Sequence, residues 1–162
     1  MSDSVKVIDN YLPAQDYLII KRFIESKNFA WFYFDGKIKP TNKLFDYQFV
    51  HIFYRDNHIN SEHFNILTPL IDKLQPKSLI RIKANLNPIT KELIEFENHA
   101  DQDFKSKAAI YYLNNNNGYT MIGDTKINSV GNRMVFFDAD QEHYGTNSTD
   151  CNNRMLINFN YF

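Results

Sequence analysis

A chain of 162 residues, 43% of them hydrophobic and 15% aromatic, is long enough to bury a core without disulfide staples. Its formal net charge of −1 gives no general attraction to nucleic acid or to an anionic membrane surface. The single cysteine, Cys151, excludes an internal disulfide and predicts a reducing, cytoplasmic setting, that of the host cell if the source is a virus.

The length fits one domain. The opening "MSDSVKVIDNYLP" lacks the apolar core of a secretory signal, and no run of 18 apolar residues is long enough to span a bilayer. From Pro13 to about residue 27 the spacing predicts a helix. Leu18, Ile19, Phe23 and Ile24 form its apolar face, and Pro13 suits its first turn. "YQFVHIFY" at 47–54 predicts a strand. Ser61 to Leu74 predicts a second helix, with Ser61 as N-cap and Pro76 just past the end.

From about residue 78 the pattern changes. "SLIRIKANL" reads as a strand with Ile80, Ile82, Ala84 and Leu86 on one face and Arg81, Lys83, Asn85 and Asn87 on the other. The charged face is either that of an edge strand in solvent or the wall of a substrate mouth. "ELIEFEN", "KAAIYYLN", "GYTMIG", "TKIN", "RMVFFD" and "RMLINFNYF" follow as further short strands. Gly, Asn or Asp separates most of them, and "NNNN" at 114–117 before Gly118 predicts a tight turn. Many short strands at this spacing suggest a sandwich, barrel or jelly roll. The expected fold class is α+β, mainly β, with N-terminal helical and strand support over about 1–77 and a β core over about 78–162.

Within that core, His99 and Asp101 in "NHADQ" are two residues apart, so on an extended segment both can face one ion. His143 is the only later histidine. Two His and one carboxylate form the facial triad of non-haem Fe(II) oxygenases. Arg154 opens the apolar run of the last strand, where a charge is costly unless paired. Its fork suits a carboxylate, such as that of a dicarboxylate co-substrate. The bland alternatives are a surface His–Asp pair, a loop histidine and a solvent-facing edge arginine. Tyr111 and Tyr112 alternate across their strand, so one of them belongs to the core. His51, His58 and His63 read as structural or exposed, and Trp31 as a packing aromatic. Nothing in the sequence activates Cys151.

The ordered set of His99-Ala100-Asp101, "IYYLN" at 110–114, His143 and Arg154 resembles the Fe(II)- and 2-oxoglutarate-dependent dioxygenase superfamily. Closer resemblance is to its prolyl 4-hydroxylase branch. That branch includes the oxygen-sensing prolyl hydroxylases and short hydroxylase-like proteins of tailed phages and bacteria. In the latter "RIKANL", "YYLN", "NGYT" and "NR-V-FD" recur in this order. The likeness covers about residues 79–162 well and the first half loosely. It implies a double-stranded β-helix, or jelly roll, with N-terminal helices packed outside. It further implies Fe(II) held by His99, Asp101 and His143, with 2-oxoglutarate and O2 as co-substrates. Arg154 would pair the distal carboxylate of 2-oxoglutarate, and Tyr112 would donate a hydrogen bond to it. Asn158 and Asn85 would stand in the co-substrate pocket. Asn85 and Asn87 depart from the Tyr that relatives often carry near there, and Leu156 replaces the Ser of an Arg-x-Ser pattern.

The implied activity is hydroxylation of a prolyl residue in a peptide or protein, with release of succinate and CO2. The alternatives keep these cofactors and act on a free amino acid, another small molecule or a nucleobase. The near-neutral charge argues against nucleic acid. A non-enzymatic metal-holding jelly roll is the reading of a different class, and the Arg154 and Tyr112 matches argue against it.

Overall fold

The computed structural model describes residues 5–38 and 44–162. Eleven strands and two α-helices follow one another in chain order: β1 (Lys6–Ile8), α1 (Ala14–Ile24), β2 (Phe32–Asp35), β3 (Tyr47–Arg55), β4 (His58–Ile59), α2 (Thr68–Leu74), β5 (Leu79–Pro88), β6 (Lys107–Tyr112), β7 (Tyr119–Ile122), β8 (Thr125–Asn128), β9 (Arg133–Asp138), β10 (His143–Gly145) and β11 (Asn153–Tyr161). A short 3-10 turn at Phe64–Leu67 leads into α2.

The strands form two antiparallel sheets. The larger is eight-stranded, ordered β1-β9-β6-β11-β5-β3-β2, with β4 pairing β3. The smaller is β10-β7-β8. Sequence-distant strands are neighbours along most of the large sheet, as in a jelly roll, and β3 of the N-terminal half pairs directly with β5 of the β core. Two apolar clusters bracket the large sheet. One joins its outer face to the helices through Ile20, Ile24, Leu67, Leu70, Tyr111, Ile157 and Phe159. The other includes Ile110, Tyr112, Ile122, Ile127, Val135, Phe137 and Leu156, drawn from both sheets. Alternation along β6 and β11 feeds the two clusters in turn, the period of two that a doubly covered strand requires. Among the described residues no helix is long and apolar enough to cross a membrane.

Four sequence expectations are corrected. In α1 the buried face is Ile20 and Ile24, while Leu18 and Ile19 are 40% and 50% exposed. Tyr17 supplies the preceding turn of that face by donating its hydroxyl to the Leu113 carbonyl, a role that ranking by apolarity misses. The expected helix from Ser61 begins only at Thr68, where Pro69 fits the first turn. The Ser61 hydroxyl instead serves His51 and the backbone N–H of His63.

"ELIEFEN" forms no strand. The segment makes only single bridges, Glu95 to Thr146 and, just beyond it, His99 to His143. Finally, Asn114–Asn117 carry no left-handed backbone. Their side chains act as ties: Asn114 donates to the Asn153 carbonyl and accepts from the Met155 N–H, Asn115 accepts from the Gly131 N–H, and Asn117 donates to Thr149. Strands β1, β2, β4 and β10 carry no signal that the sequence reading used.

Candidate metal centre and co-substrate cavity

One cavity lies between the sheets, and the polar face of β5 forms part of its wall. Its lining includes His99, Asp101, His143, Lys83, Asn85 and Arg154. The ligating atoms of His99, Asp101 and His143 lie within 4.8 Å of one another. The backbone brings them together. The N–H of each histidine donates to the carbonyl of the other, at 3.0 and 2.8 Å, so the two residues face each other across an antiparallel bridge. Asp101 follows two residues on, as the extended spacing predicts.

Each imidazole is oriented the same way. His99 Nδ1 lies 3.2 Å from the Glu97 carbonyl and His143 Nδ1 lies 3.1 Å from the Gln141 carbonyl. A carbonyl only accepts, so each Nδ1 carries a proton, and in the neutral ring the lone pair is then on Nε2. That is the tautomer that a metal ligand needs. Burial pushes the His99 pKa down, and the neighbouring His143 adds to it. Burial alone would raise the Asp101 carboxyl. The Arg81 guanidinium, His143 and Asn160 outweigh it and hold the group below the usual range. Arg81 Nη2 donates to Asp101 Oδ1 at 3.0 Å and Asn160 Nδ2 to Oδ2 at 2.9 Å. Two imidazoles whose Nδ1 atoms are already engaged and an ionised carboxylate suit a divalent transition metal, and these residues fit Fe(II).

Arg154 is 1% exposed. Its Nε donates to Ser129 Oγ at 2.8 Å, Nη1 to the Thr146 carbonyl at 3.1 Å and Nη2 to Thr120 Oγ1 at 2.9 Å. These partners are all neutral, and among the described residues no carboxylate forms an ion pair with it. A buried guanidinium that lines a cavity and has no counter-ion defines an anion site. Gly118 makes room for it, since a Cβ there would overlap Arg154 Cδ and the Asn147 carbonyl.

Tyr112 is fully buried beside this site. Its hydroxyl donates to Thr120 Oγ1 at 2.8 Å, and Arg154 Cζ lies 5.5 Å from its ring centroid. Thr120 lines the cavity; Tyr112 stands behind it. Asn158 and Asn85 both line the cavity and are bonded to each other, Asn158 Nδ2 donating to Asn85 Oδ1 at 2.9 Å. Asn85 in turn donates to Gln48 Oε1 at 2.6 Å, and Gln48 to the Lys37 carbonyl at 2.8 Å. This chain of amides fixes one wall.

Sequence reasoning did not assign Lys37, Gln48, Phe96 or Thr120 to the site. Thr120 had a signal in "NGYT". Lys37 and Gln48 had none, because they come from the other half of the chain. Lys37 Nζ donates to Asn87 Oδ1 at 2.7 Å and sits 4.4 Å from the Phe96 ring centroid. Burial lowers its pKa to about 7, opposed by Asp46 and reinforced by Arg154. The charged face of β5 turns inward: Lys83 lines the cavity and Arg81 holds Asp101.

No protein-family model matches the chain, and no curated protein sequence does. Solved structures do match over almost its whole length. A prolyl hydroxylase from Trichoplax adhaerens, in complex with a peptide fragment of the hypoxia-inducible factor oxygen degradation domain, superposes with a TM-score of 0.69 at 13% identity, covering 99% of this chain and 84% of that one. A Pseudomonas putida prolyl-4-hydroxylase gives 0.60 at 10% identity, covering 99% and 93%. The non-haem α-ketoglutarate-dependent epimerase SnoN of nogalamycin biosynthesis gives 0.67 at 13% identity, covering 99% and 78%. The fold is that of the 2-oxoglutarate- and Fe(II)-dependent oxygenases, the prolyl hydroxylases among them.

Proposed function

We propose that this protein is an Fe(II)- and 2-oxoglutarate-dependent dioxygenase that hydroxylates a prolyl residue in a peptide or protein, releasing succinate and CO2. One observation carries the reading. A His–Asp–His cluster with the ligand tautomers already set shares its cavity with a buried, unpaired arginine. A merely structural metal site has no use for the second feature. In this reading His99, Asp101 and His143 hold Fe(II). Arg154 receives the distal carboxylate of 2-oxoglutarate. Thr120 and Tyr112 brace the guanidinium, and Asn85 and Asn158 form the adjoining wall. Fe(II) and 2-oxoglutarate together supply O2 activation for C–H hydroxylation. The protein's own part is to orient the ligands, lower the pKa of His99 by burial and exclude water from the Arg154 end. The prolyl assignment is supported by the prolyl hydroxylase likeness and by a peptide-bound neighbour.

A second reading keeps the cofactors and replaces the peptide with a free amino acid or other small molecule. It is favoured by the Lys83 ammonium, which is unpaired among the described residues, and by the same fold serving an epimerase. The single Cys151, unpaired, supports a reducing, cytoplasmic setting. Anaerobic loading with Fe(II) and 2-oxoglutarate, followed by O2 with and without prolyl peptides, tests the function. Peptide-stimulated succinate with a hydroxylated peptide is the expected result. Absence of succinate under every condition would overturn it.

A further inference from the structure

The wall that β5 and β11 present to the cavity is a ladder of polar rungs set by strand register. Asn87 pairs with Arg154, Asn85 with Leu156, Lys83 with Asn158 and Arg81 with Asn160. Successive rungs on one face are about 7 Å apart along the strand. The Arg154 rung is the anion site. The Arg81–Asn160 rung, at the other end, holds Asp101 through both carboxylate oxygens. Lys83 stands one rung from the metal end and two rungs, about 13 Å of backbone, from Arg154.

Arg81 has Asp101, Lys37 has Asn87 and the Tyr47 carbonyl, and Arg154 has its three neutral acceptors. Lys83, lining the same cavity, makes no hydrogen bond or ion pair among the described residues. The electrostatic neighbours that act on it are Arg81, which repels it, and Asp101, whose charge is already shared between Arg81 and the ligand cluster. Among the described residues, Asp101 is the only carboxylate lining the cavity. A divalent metal beside His99 and Asp101 would leave this ammonium still more in need of an anion.

Given the cofactor reading above, on which this step rests, 2-oxoglutarate does not supply that anion. Its distal carboxylate belongs to Arg154 and its proximal one to the metal. We infer that Lys83 receives a carboxylate of the primary substrate, so that the substrate class is anionic close to the carbon that reacts. Asn158, on the same rung, faces the incoming group from β11 as a neutral companion. The carboxylate has two sources: an acidic side chain flanking the target residue of a peptide, or the α-carboxylate of a free amino acid.

Two matched pairs of probes separate them. End-blocked Ala-Pro-Glu is compared with end-blocked Ala-Pro-Gln, and L-proline with L-prolinamide. Each is titrated anaerobically into Fe(II)- and 2-oxoglutarate-loaded protein, and the perturbation of the metal-to-ligand absorption band is followed. In at least one pair the acid is expected to bind roughly 30-fold or more tightly than its amide, as desolvated charge pairs do. The pair that discriminates names the source. Lys83→Met should abolish the discrimination and leave 2-oxoglutarate affinity unchanged, while Lys83→Arg should restore part of it. Circular dichroism checks that each variant folds. The inference is overturned if neither acid binds more tightly than its amide, or if Lys83→Met weakens 2-oxoglutarate itself, which would make Lys83 a co-substrate residue. Failure of 2-oxoglutarate to produce the band in the parent protein is a separate result and counts against the cofactor reading.

Discussion

At the scale of single residues, the proposed function divides the site into groups that would bind metal and groups that would bind co-substrate, and substitutions should separate them. His99→Ala or His143→Ala leaves two ligands, and Fe(II) affinity is expected to fall by more than the roughly 100-fold typical of losing an outer-shell partner. Both variants should keep the parent circular dichroism, because the two apolar clusters do not include either imidazole. Iron titration decides it, and full binding in either variant removes that histidine from the centre. Arg154→Ala should keep iron and weaken 2-oxoglutarate by about 2–5 kcal/mol, roughly 30- to several-thousand-fold, since a carboxylate would then be buried without its partner. Tyr112→Phe should cost co-substrate affinity far less, because its hydroxyl reaches Thr120. Anaerobic titration of both variants compares them directly, and equal losses would mean that Tyr112 contacts the co-substrate itself. The placement of these residues in one cavity differs in how plainly the sequence carried it. His99 and Asp101 were legible as neighbours because an extended i, i+2 spacing is local, and Arg154 stood out because a charge in an apolar strand demands a partner. Lys37 was not legible, since it reaches the cavity only through the fold of the other half.

Secondary-structure elements place these groups, and their weak points are where chain meets chain. Gly118 leads into β7 against Arg154, with no room for a Cβ. Gly118→Ala should therefore destabilise the protein by about 1–3 kcal/mol through overpacking, and should also weaken 2-oxoglutarate by displacing the guanidinium. Parallel denaturation and binding curves test both effects, and a neutral result in both would contradict the close approach. On β3, buried His51 joins two connections. Its Nδ1 donates to the Ala30 carbonyl and its Nε2 accepts from the Ser61 hydroxyl, each at 2.7 Å. Burial lowers its pKa below the ordinary 6.5, outweighing the Ala30 bond. The unfolded chain therefore binds the proton more readily. The contribution of His51 is complete above about pH 6.5 and is lost as pH falls through the folded value. His51→Phe should flatten that part of the stability profile between pH 7 and pH 5, and an unchanged slope would reject the assignment. The runs that became β3, β5, β6, β7, β8, β9 and β11 were readable from sequence as short strands. "ELIEFEN" carries apolar residues among acidic ones as a strand can, yet it makes only isolated bridges, and pairing is not a local property.

For the whole molecule, a metal at the candidate centre would bind a fold that does not need it for packing. The core is divided between the outer helices and the space between the sheets. The ligands lie instead at its margin, with His99 and Asp101 on the irregular 89–106 connection and His143 on three-residue β10. Two isolated bridges, single backbone hydrogen bonds such as those of Phe96 to Gly145 and Gln102 to Ala139, and a few side-chain ties fasten that connection to the strands beyond it, without a continuous ladder. A metal bound by all three ligands would act as a clip between the long connection and the small sheet. Because it binds the folded arrangement and not the unfolded chain, metal at 100 times its Kd should add about 2.7 kcal/mol of stability. For a chain of this size that is a rise in Tm of roughly 5–11 °C. Co(II) or Mn(II) can stand in for Fe(II) to avoid oxidation during the scan. The gain should vanish in His143→Ala, which removes the β10 side of the clip. It should also be local, with hydrogen exchange slowing most across residues 95–101 and 143–146 and little in α1 or α2. A metal-induced rise in Tm with uniform protection over the whole chain would place the ion elsewhere. No rise at all, with the histidines intact, would mean that the cluster does not take up a divalent metal.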